Sequence, residues 1–179
     1  KPIKYVINTH SHWDHSWGNE NFSKSTIIGH TNCYDEMIDV EWNQQWMDKI
    51  SSSGDPWAQE ASLVKITPPN LTFDNNMSLF FGGREISLRY FGKAHTSGDI
   101  FIYLPNEKIV FTGDVIQNGG VPFLGDGYPN EWPLTDDKLL ELPVTLFASG
   151  HGPVGDAEAL MDARDFIHIL MDTMKVHIQ

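Results

Sequence analysis

The sequence has little cysteine, little positive charge and no long apolar run. Its one cysteine, Cys33, has no partner in the chain, which excludes an internal disulfide and a cysteine-based structural zinc site. The 12 Lys and Arg residues are scattered among 24 Asp and Glu, so the net charge of -12 argues against a nucleic-acid partner. No apolar stretch approaches the length that spans a bilayer, and no membrane partner is expected.

The composition is typical of a soluble globular protein, with 40% hydrophobic and 20% charged residues. A chain of 179 residues can bury a sizeable core, and we predict a single domain over residues 1–179. One cysteine carries no information on the redox compartment, so a cytoplasmic and a periplasmic location are equally compatible with the sequence.

Periodicity predicts a mixed α/β chain in which strands and helices alternate. The predicted strands cover residues 3–8, 25–28, 71–73, 78–81, 85–91, 99–104, 108–112 and 144–148. The predicted helices cover residues 31–51, 135–142 and 156–176, the second of them capped by Thr135.

Histidine is concentrated in one short segment near the start of the sequence. His10, His12, Asp14 and His15 follow an apolar stretch that predicts a strand. Isolated histidines are usually surface or core residues, but imidazoles and carboxylates crowded at a strand end are the ligands that zinc prefers. The segment therefore predicts a metal site.

Three further candidate ligands stand in turn-like contexts, each after a predicted strand. They are His95, Asp114, which follows Gly113, and His151, which lies between two glycines. Strand ends on a rigid sheet hold ligands more firmly than mobile loops do. Seven such groups are too many for one tetrahedral ion and suit two metal ions that share a bridging carboxylate.

From Tyr5 to about Gly155 these motifs resemble the metallo-β-lactamase superfamily. The resemblance implies an αββα sandwich and two Zn²⁺ ions, with iron or manganese as alternatives. It also implies that one metal is held by His10, His12 and His95 and the other by Asp14, His15 and His151, with Asp114 bridging them.

The aspartate at position 114 separates the branches of this family. True β-lactamases have Cys or Ser where Asp114 stands, whereas an aspartate is similar to glyoxalase II-type thioesterases and lactonases. The resemblance thus implies a hydrolase in which a bridging hydroxide attacks an ester, thioester, lactone or amide carbonyl of a small molecule. Asp14, which orients the nucleophile, and Asp114, which holds the metal spacing, are the expected catalytic residues.

Three other functions are compatible with the same residues. One is an iron-dependent oxidoreductase of the persulfide dioxygenase type, which the same scaffold resembles. The second is a promiscuous β-lactamase, and the third is a binding module without catalysis.

Five residues outside the ligand set are candidate contacts to ligands or substrate. Asp99 is expected either to bond a ligand imidazole or to act as a turn residue. Trp13 and Trp17 flank the first motif and are expected to line an apolar pocket. Lys93 is a candidate for binding a substrate carboxylate, and Tyr128 for donating to an oxyanion. A separate pair, Trp42 and Trp46, stands at helical spacing and favours the core.

Members of the family usually have a strand-rich segment of some tens of residues before the first metal motif, whereas this sequence starts almost at the motif. We expect that segment to be absent or to be supplied by another chain. Without it, an apolar sheet edge near Tyr5 and Ile7 would lie open and would invite pairing or aggregation. A homo-oligomer or a complementing segment is therefore the partner hypothesis beside the small-molecule substrate.

Overall fold

The computed structural model describes residues 2–177, with side chains as far as residue 175. The chain forms two compact units, of which the first ends at Phe73 and the second begins at Asp74. Each unit contains one sheet and its own helices. The single domain expected over residues 1–179 stays a prediction. Between residues 2 and 177, no helix is both long enough and apolar enough to cross a bilayer.

The first unit is built on a parallel sheet of three strands in the order β1, β2, β3. The strands are β1 (Tyr5–Ile7), β2 (Thr26–His30) and β3 (Leu71–Phe73). The helices are α1 (Trp13–Ser16), α2 (Thr31–Ile38) and α3 (Val40–Ser51), with 3-10 turns at Trp17–Phe22 and Ala58–Leu63. Within this unit β1 is an edge strand, and the complementing segment expected beside it stays a prediction.

The prediction of one helix over residues 31–51 is wrong, because Asp39 divides the segment into α2 and α3. Asp39 has an extended backbone (φ -69°, ψ 109°), and its carboxylate accepts a hydrogen bond of 2.9 Å from the N–H of Trp42. His30 begins α2 in the same way, since its Nδ1 accepts a hydrogen bond of 3.0 Å from Asn32 N–H. Capping side chains thus override an apolar periodicity that continues through the break.

The second unit is built on a sheet of five strands in the order β4 to β8. The strands are β4 (Asn76–Phe81), β5 (Arg84–Arg89), β6 (Phe101–Leu104), β7 (Ile109–Gln117) and β8 (Leu146–His151). Neighbouring strands are antiparallel as far as β7, and β8 runs parallel to β7. Gly82 and Gly83 both have positive φ and form the two-residue hairpin turn that the sequence predicts.

Two helices cover the second sheet and close its core. They are α4 (Trp132–Leu140) and α5 (Ala157–His177). The core cluster of buried apolar side chains draws on the strands and on both helices, and includes Phe101, Val110, Phe147, Trp132, Leu139, Leu160 and Ile167.

Several predicted bounds in the second unit are wrong. The strand expected over residues 144–148 runs from Leu146 to His151, so His151 lies inside β8 rather than after it. The strand expected to end at Thr112 continues to Gln117, so Asp114 lies inside β7. The helix expected to be capped by Thr135 begins at Trp132, because Pro133 suits the first turn of a helix. Thr135 is buried within α4 instead, and its hydroxyl donates to the carbonyl of Lys93 at 3.0 Å.

Leu139→Ala is expected to lower the free energy of unfolding by about 2–5 kcal/mol, since it leaves a cavity in this core. Leu134→Ala on the same helix is the control, because Leu134 is 62% exposed and Leu139 is 0% exposed. Urea denaturation of both variants measures the difference. Equal losses in the two variants would contradict the packing described for α4.

Candidate metal centre

Four predicted ligands lie together in the first unit: His10 and His12 in the turn after β1, and Asp14 and His15 in α1. His10 and His12 are buried, and their ring centroids are 4.9 Å apart. The backbone N–H groups of His15 and Ser16 donate to the carbonyl of His12 at 3.1 and 3.0 Å, which turns the chain back on itself. His15 consequently lies 4.3 Å from His10 between ring centroids.

The remaining ligand of this group, Asp14, is the one most open to solvent. Its Oδ2 lies 3.2 Å from Nε2 of His15, and its side chain is 26% exposed. Asp14 and His15, which are adjacent in the sequence, thus place a carboxylate and an imidazole next to each other in this group of ligands. The prediction that the first motif brings its three imidazoles and one carboxylate together agrees with this arrangement.

Two buried asparagines, which sequence reasoning missed, support the turn. The side-chain amides of Asn8 and Asn19 bond each other in both directions, at 3.1 and 2.9 Å. Asn8 also donates to the carbonyl of His15 at 3.3 Å, and Asn19 to that of Thr67 at 2.9 Å. The position of Asn8, an amide between an apolar strand and the histidines, was the available signal.

Tryptophan rings border the same turn. Trp42 is stacked on His12 at 6.1 Å between ring centroids, and Trp46 lies 5.2 Å from it. Trp46 also packs against a small core cluster that contains Trp17, which is 8% exposed. Trp13 packs against that cluster and stacks on Trp57 at 5.5 Å. The pocket expected from Trp13 and Trp17 stays a prediction.

The other three predicted ligands lie together in the second unit, with Asp114 between two imidazoles. Oδ2 of Asp114 is 3.6 Å from Nε2 of His95 and 3.3 Å from Nε2 of His151. Nδ1 of buried His95 lies 3.1 Å from the carbonyl of Phe123, which can only accept a hydrogen bond. A proton on Nδ1 satisfies this contact, and Nε2, on the side of Asp114, is then the nitrogen that can ligate a metal.

A bulge and two glycines place Asp114. The pairing of β7 with β8 shifts register on both sides of Gly113, whose φ is 54°. Bulges of this kind re-aim a side chain. Opposite, a Cβ on Gly150 would lie 2.0 Å from Oδ1 of Asp114, and one on Gly152 would lie 1.9 Å from the carbonyl oxygen of Asn118. Only residues without a side chain fit at these positions.

The loop that carries His95 is tied by short hydrogen bonds. Oδ2 of Asp99 accepts a bond of 2.6 Å from Thr96 N–H, which is the turn role foreseen for it. The bond expected between Asp99 and a ligand imidazole stays a prediction. Nζ of Lys93 lies 4.5 Å from the ring centroid of Tyr128, so these two expected substrate contacts form a cation–π pair with each other.

Helix α4 packs against the loop that carries His95. Trp132 packs edge-on against the ring of His95 at 5.6 Å between centroids. Thr135 donates to the carbonyl of Lys93, and Nζ of Lys138 donates to that of Phe91 at 2.6 Å. The helix therefore contacts both the backbone of the loop and the imidazole ring of His95.

Asp136 on α4 is a fully buried carboxyl group that sequence reasoning missed. Neither of its oxygens has a hydrogen-bond partner among the described residues. Burial raises the pKa of Asp136 to about 8; Arg164 opposes the shift, and Asp137 and Asp99 add to it. The group is thus uncharged at pH 7. Asp136 stands four residues after Trp132, a spacing that places both side chains on the apolar face of a helix. This spacing was the signal in the sequence that could have identified Asp136.

A family model described as the metallo-beta-lactamase superfamily matches residues 1–151. The chain belongs to this superfamily. A metallo-beta-lactamase type 2 of Elizabethkingia meningoseptica is 28% identical over 172 residues, which cover 93% of this chain and 60% of the relative. Another of the same name, from Bacillus sp. (strain 170), is 32% identical over 95 residues, which cover 50% of this chain and 37% of that protein.

Solved structures agree on the fold. The metallo-beta-lactamase from Pontibacter korlensis superposes with a TM-score of 0.76 at 20% identity, over 94% of this chain and 70% of that one. The predicted family and the mixed α/β fold of the metallo-β-lactamase type are therefore confirmed. The roles of the individual side chains stay predictions.

Gly150→Ala is expected to lower the free energy of unfolding by about 1–3 kcal/mol, since the new methyl group meets the Asp114 carboxylate and the backbone of Gly113. Gly18→Ala is the control, because a methyl group there meets open space. Urea midpoints measure both. Unchanged stability in Gly150→Ala would show that Asp114 is not confined as described.

Proposed function

We propose that this protein is a hydrolase that uses two divalent metal ions, with zinc as the first candidate. The observation that carries the proposal is the position of Asp114 within 4 Å of two imidazole Nε2 atoms in the second unit. The turn that gathers three imidazoles and Asp14 in the first unit supports it. Membership of the superfamily supports the same ligand set.

The donor set fits such ions. It consists of imidazole nitrogens and carboxylate oxygens, a mixture that suits zinc and also admits iron or manganese. By the family pattern, His10, His12 and His95 would hold one ion, and Asp14, His15 and His151 the other, with Asp114 shared. Two such ions, offset by two aspartates and one hydroxide, leave a local charge of about +1, which attracts a carbonyl oxygen.

When bound, the metal ions supply a hydroxide at neutral pH and polarise a substrate carbonyl. The protein's residues supply position and proton transfer. Asp14 is open to solvent, so it can take a proton and release it to water. A hydrogen bond from Nδ1 of His95 to the carbonyl of Phe123 would leave Nε2 to ligate a metal. Trp42 and Trp46 give the surroundings of His12 an apolar wall.

For the substrate, we propose an ester, thioester, lactone or amide of a small molecule. The names of the relatives point to β-lactams, whereas the aspartate at position 114 resembles the thioesterase and lactonase branch. Hydrolysis of β-lactams is therefore the second candidate. An iron-dependent oxidoreductase is the third, and it would show visible absorption and an oxygen-dependent activity.

His12→Ala and Asp114→Ala are each expected to lose bound zinc and hydrolytic activity, because each removes a proposed ligand. Metal analysis after dialysis measures the first effect. A panel of chromogenic esters, lactones, thioesters and a cephalosporin, run with and without chelator, measures the second. His168→Ala is the matched control, since His168 is exposed on α5, and it should keep both properties.

The substrate panel also separates the candidates. Chelator-sensitive turnover of esters or lactones well above that of the cephalosporin supports the proposed branch, and the reverse order supports a β-lactamase. Full activity in His12→Ala or Asp114→Ala would overturn the two-metal proposal.

A further inference from the structure

The buried face of α4 contains a polar group that the proposed chemistry does not use. Trp132, Asp136 and Leu139 are each 0% exposed, and Thr135 is 1% exposed. Among the described residues, neither the indole N–H of Trp132 nor the carboxyl of Asp136 has a hydrogen-bond partner. Buried polar groups are normally paired, and exceptions are concentrated where function requires them.

The charged groups around Asp136 are mostly negative. Asp99 faces it from the loop that carries His95, Asp137 adjoins it on α4, and Arg164 faces it from α5. The guanidinium of Arg164 is bonded to Asp137 at 2.8 Å and to Asp165 at 3.0 and 3.1 Å. Arg164, whose attraction is the largest of these charge effects on Asp136, is thus shared with two other carboxylates, and burial without a hydrogen-bond partner is the main cost of a charge on Asp136.

Asp99 connects this environment to the ligand. Its carboxylate holds the N–H of Thr96, the residue after His95, at 2.6 Å. Asp99 is 1% exposed, so water screens its interactions weakly. Ionisation of Asp136 would place an unpaired charge in the buried face of α4, which contacts this loop through Thr135 and Trp132, and would thereby loosen the loop.

We propose that Asp136 is a positioning residue for His95: as an uncharged acid it lets α4 pack under the loop, and its ionisation loosens the loop. The expected pH dependence has a definite sign. At neutral pH the folded protein keeps the proton on Asp136 and the unfolded chain does not, so this group lowers stability as pH rises from about 4 to about 8. Above pH 8 it is charged in the folded state as well.

The metal-free protein provides the first test, through hydrogen exchange of the Thr96 amide. In the natural sequence, its protection factor is expected to fall about tenfold between pH 7 and pH 9, because proton linkage allows up to about tenfold per pH unit below the folded-state pKa of about 8 and little change above it. Asp136→Asn should show little change, because its side chain stays uncharged. Asp162→Asn, the same change at an exposed acid of α5, should fall as the natural sequence does.

Asp136→Leu repeats the test with an apolar side chain in case the amide folds poorly. Constant protection in the natural sequence from pH 7 to pH 9 would overturn the proposal. So would an undiminished fall in whichever of Asp136→Asn and Asp136→Leu is folded, because neither side chain can ionise.

Zinc affinity provides a second test, which rests on the proposed function. Ligand deprotonation makes zinc affinity rise with pH, whereas ionisation of Asp136 opposes that rise. The ratio of zinc affinities, Asp136→Asn over natural sequence, should therefore grow about tenfold between pH 7 and pH 9. A constant ratio contradicts the positioning role. Absence of zinc binding in both proteins contradicts the proposed function, while the amide-exchange result still decides the role of Asp136.

Discussion

The approach of one carboxylate, Asp114, to two imidazoles is the constraint on which the second unit depends. A regular strand would carry this side chain elsewhere, so β7 contains a bulge at Gly113 beside its parallel partner β8. Gly150 must then lack a side chain, because Asp114 occupies that space. Once Asp114 is fixed, His151 is fixed as well, since it ends the strand that β7 pairs with.

The first unit brings its candidate ligands together in a different way. Its ligands come from one continuous segment, so a tight turn at His12 is enough to bring His10 and His15 together. Asn8, held by its reciprocal amide pair with Asn19, donates to one carbonyl of that turn, that of His15. Crowded polar groups of this kind are costly unless they are satisfied or bind an ion, which is the physical reason to expect a metal.

The sequence predicted the parts of the site that depend on local spacing. His151 was expected in a turn and instead ends β8. The first motif and the turn at His95 were recognisable because each is a short pattern beside an apolar strand. The bulge at Gly113 and the buried acid at Asp136 were not, because they depend on which strand or helix packs opposite. Asp39 shows that a local pattern can also mislead, since its capping side chain interrupts a periodicity that by itself favours one long helix.

The central proposal is that the candidate ligands bind a pair of metal ions. Crystals of the protein grown with zinc and measured at the zinc absorption edge test it most directly. The account predicts two anomalous peaks less than about 4 Å apart, both in contact with Asp114. A single peak, or peaks at other side chains with none beside Asp114, would contradict it.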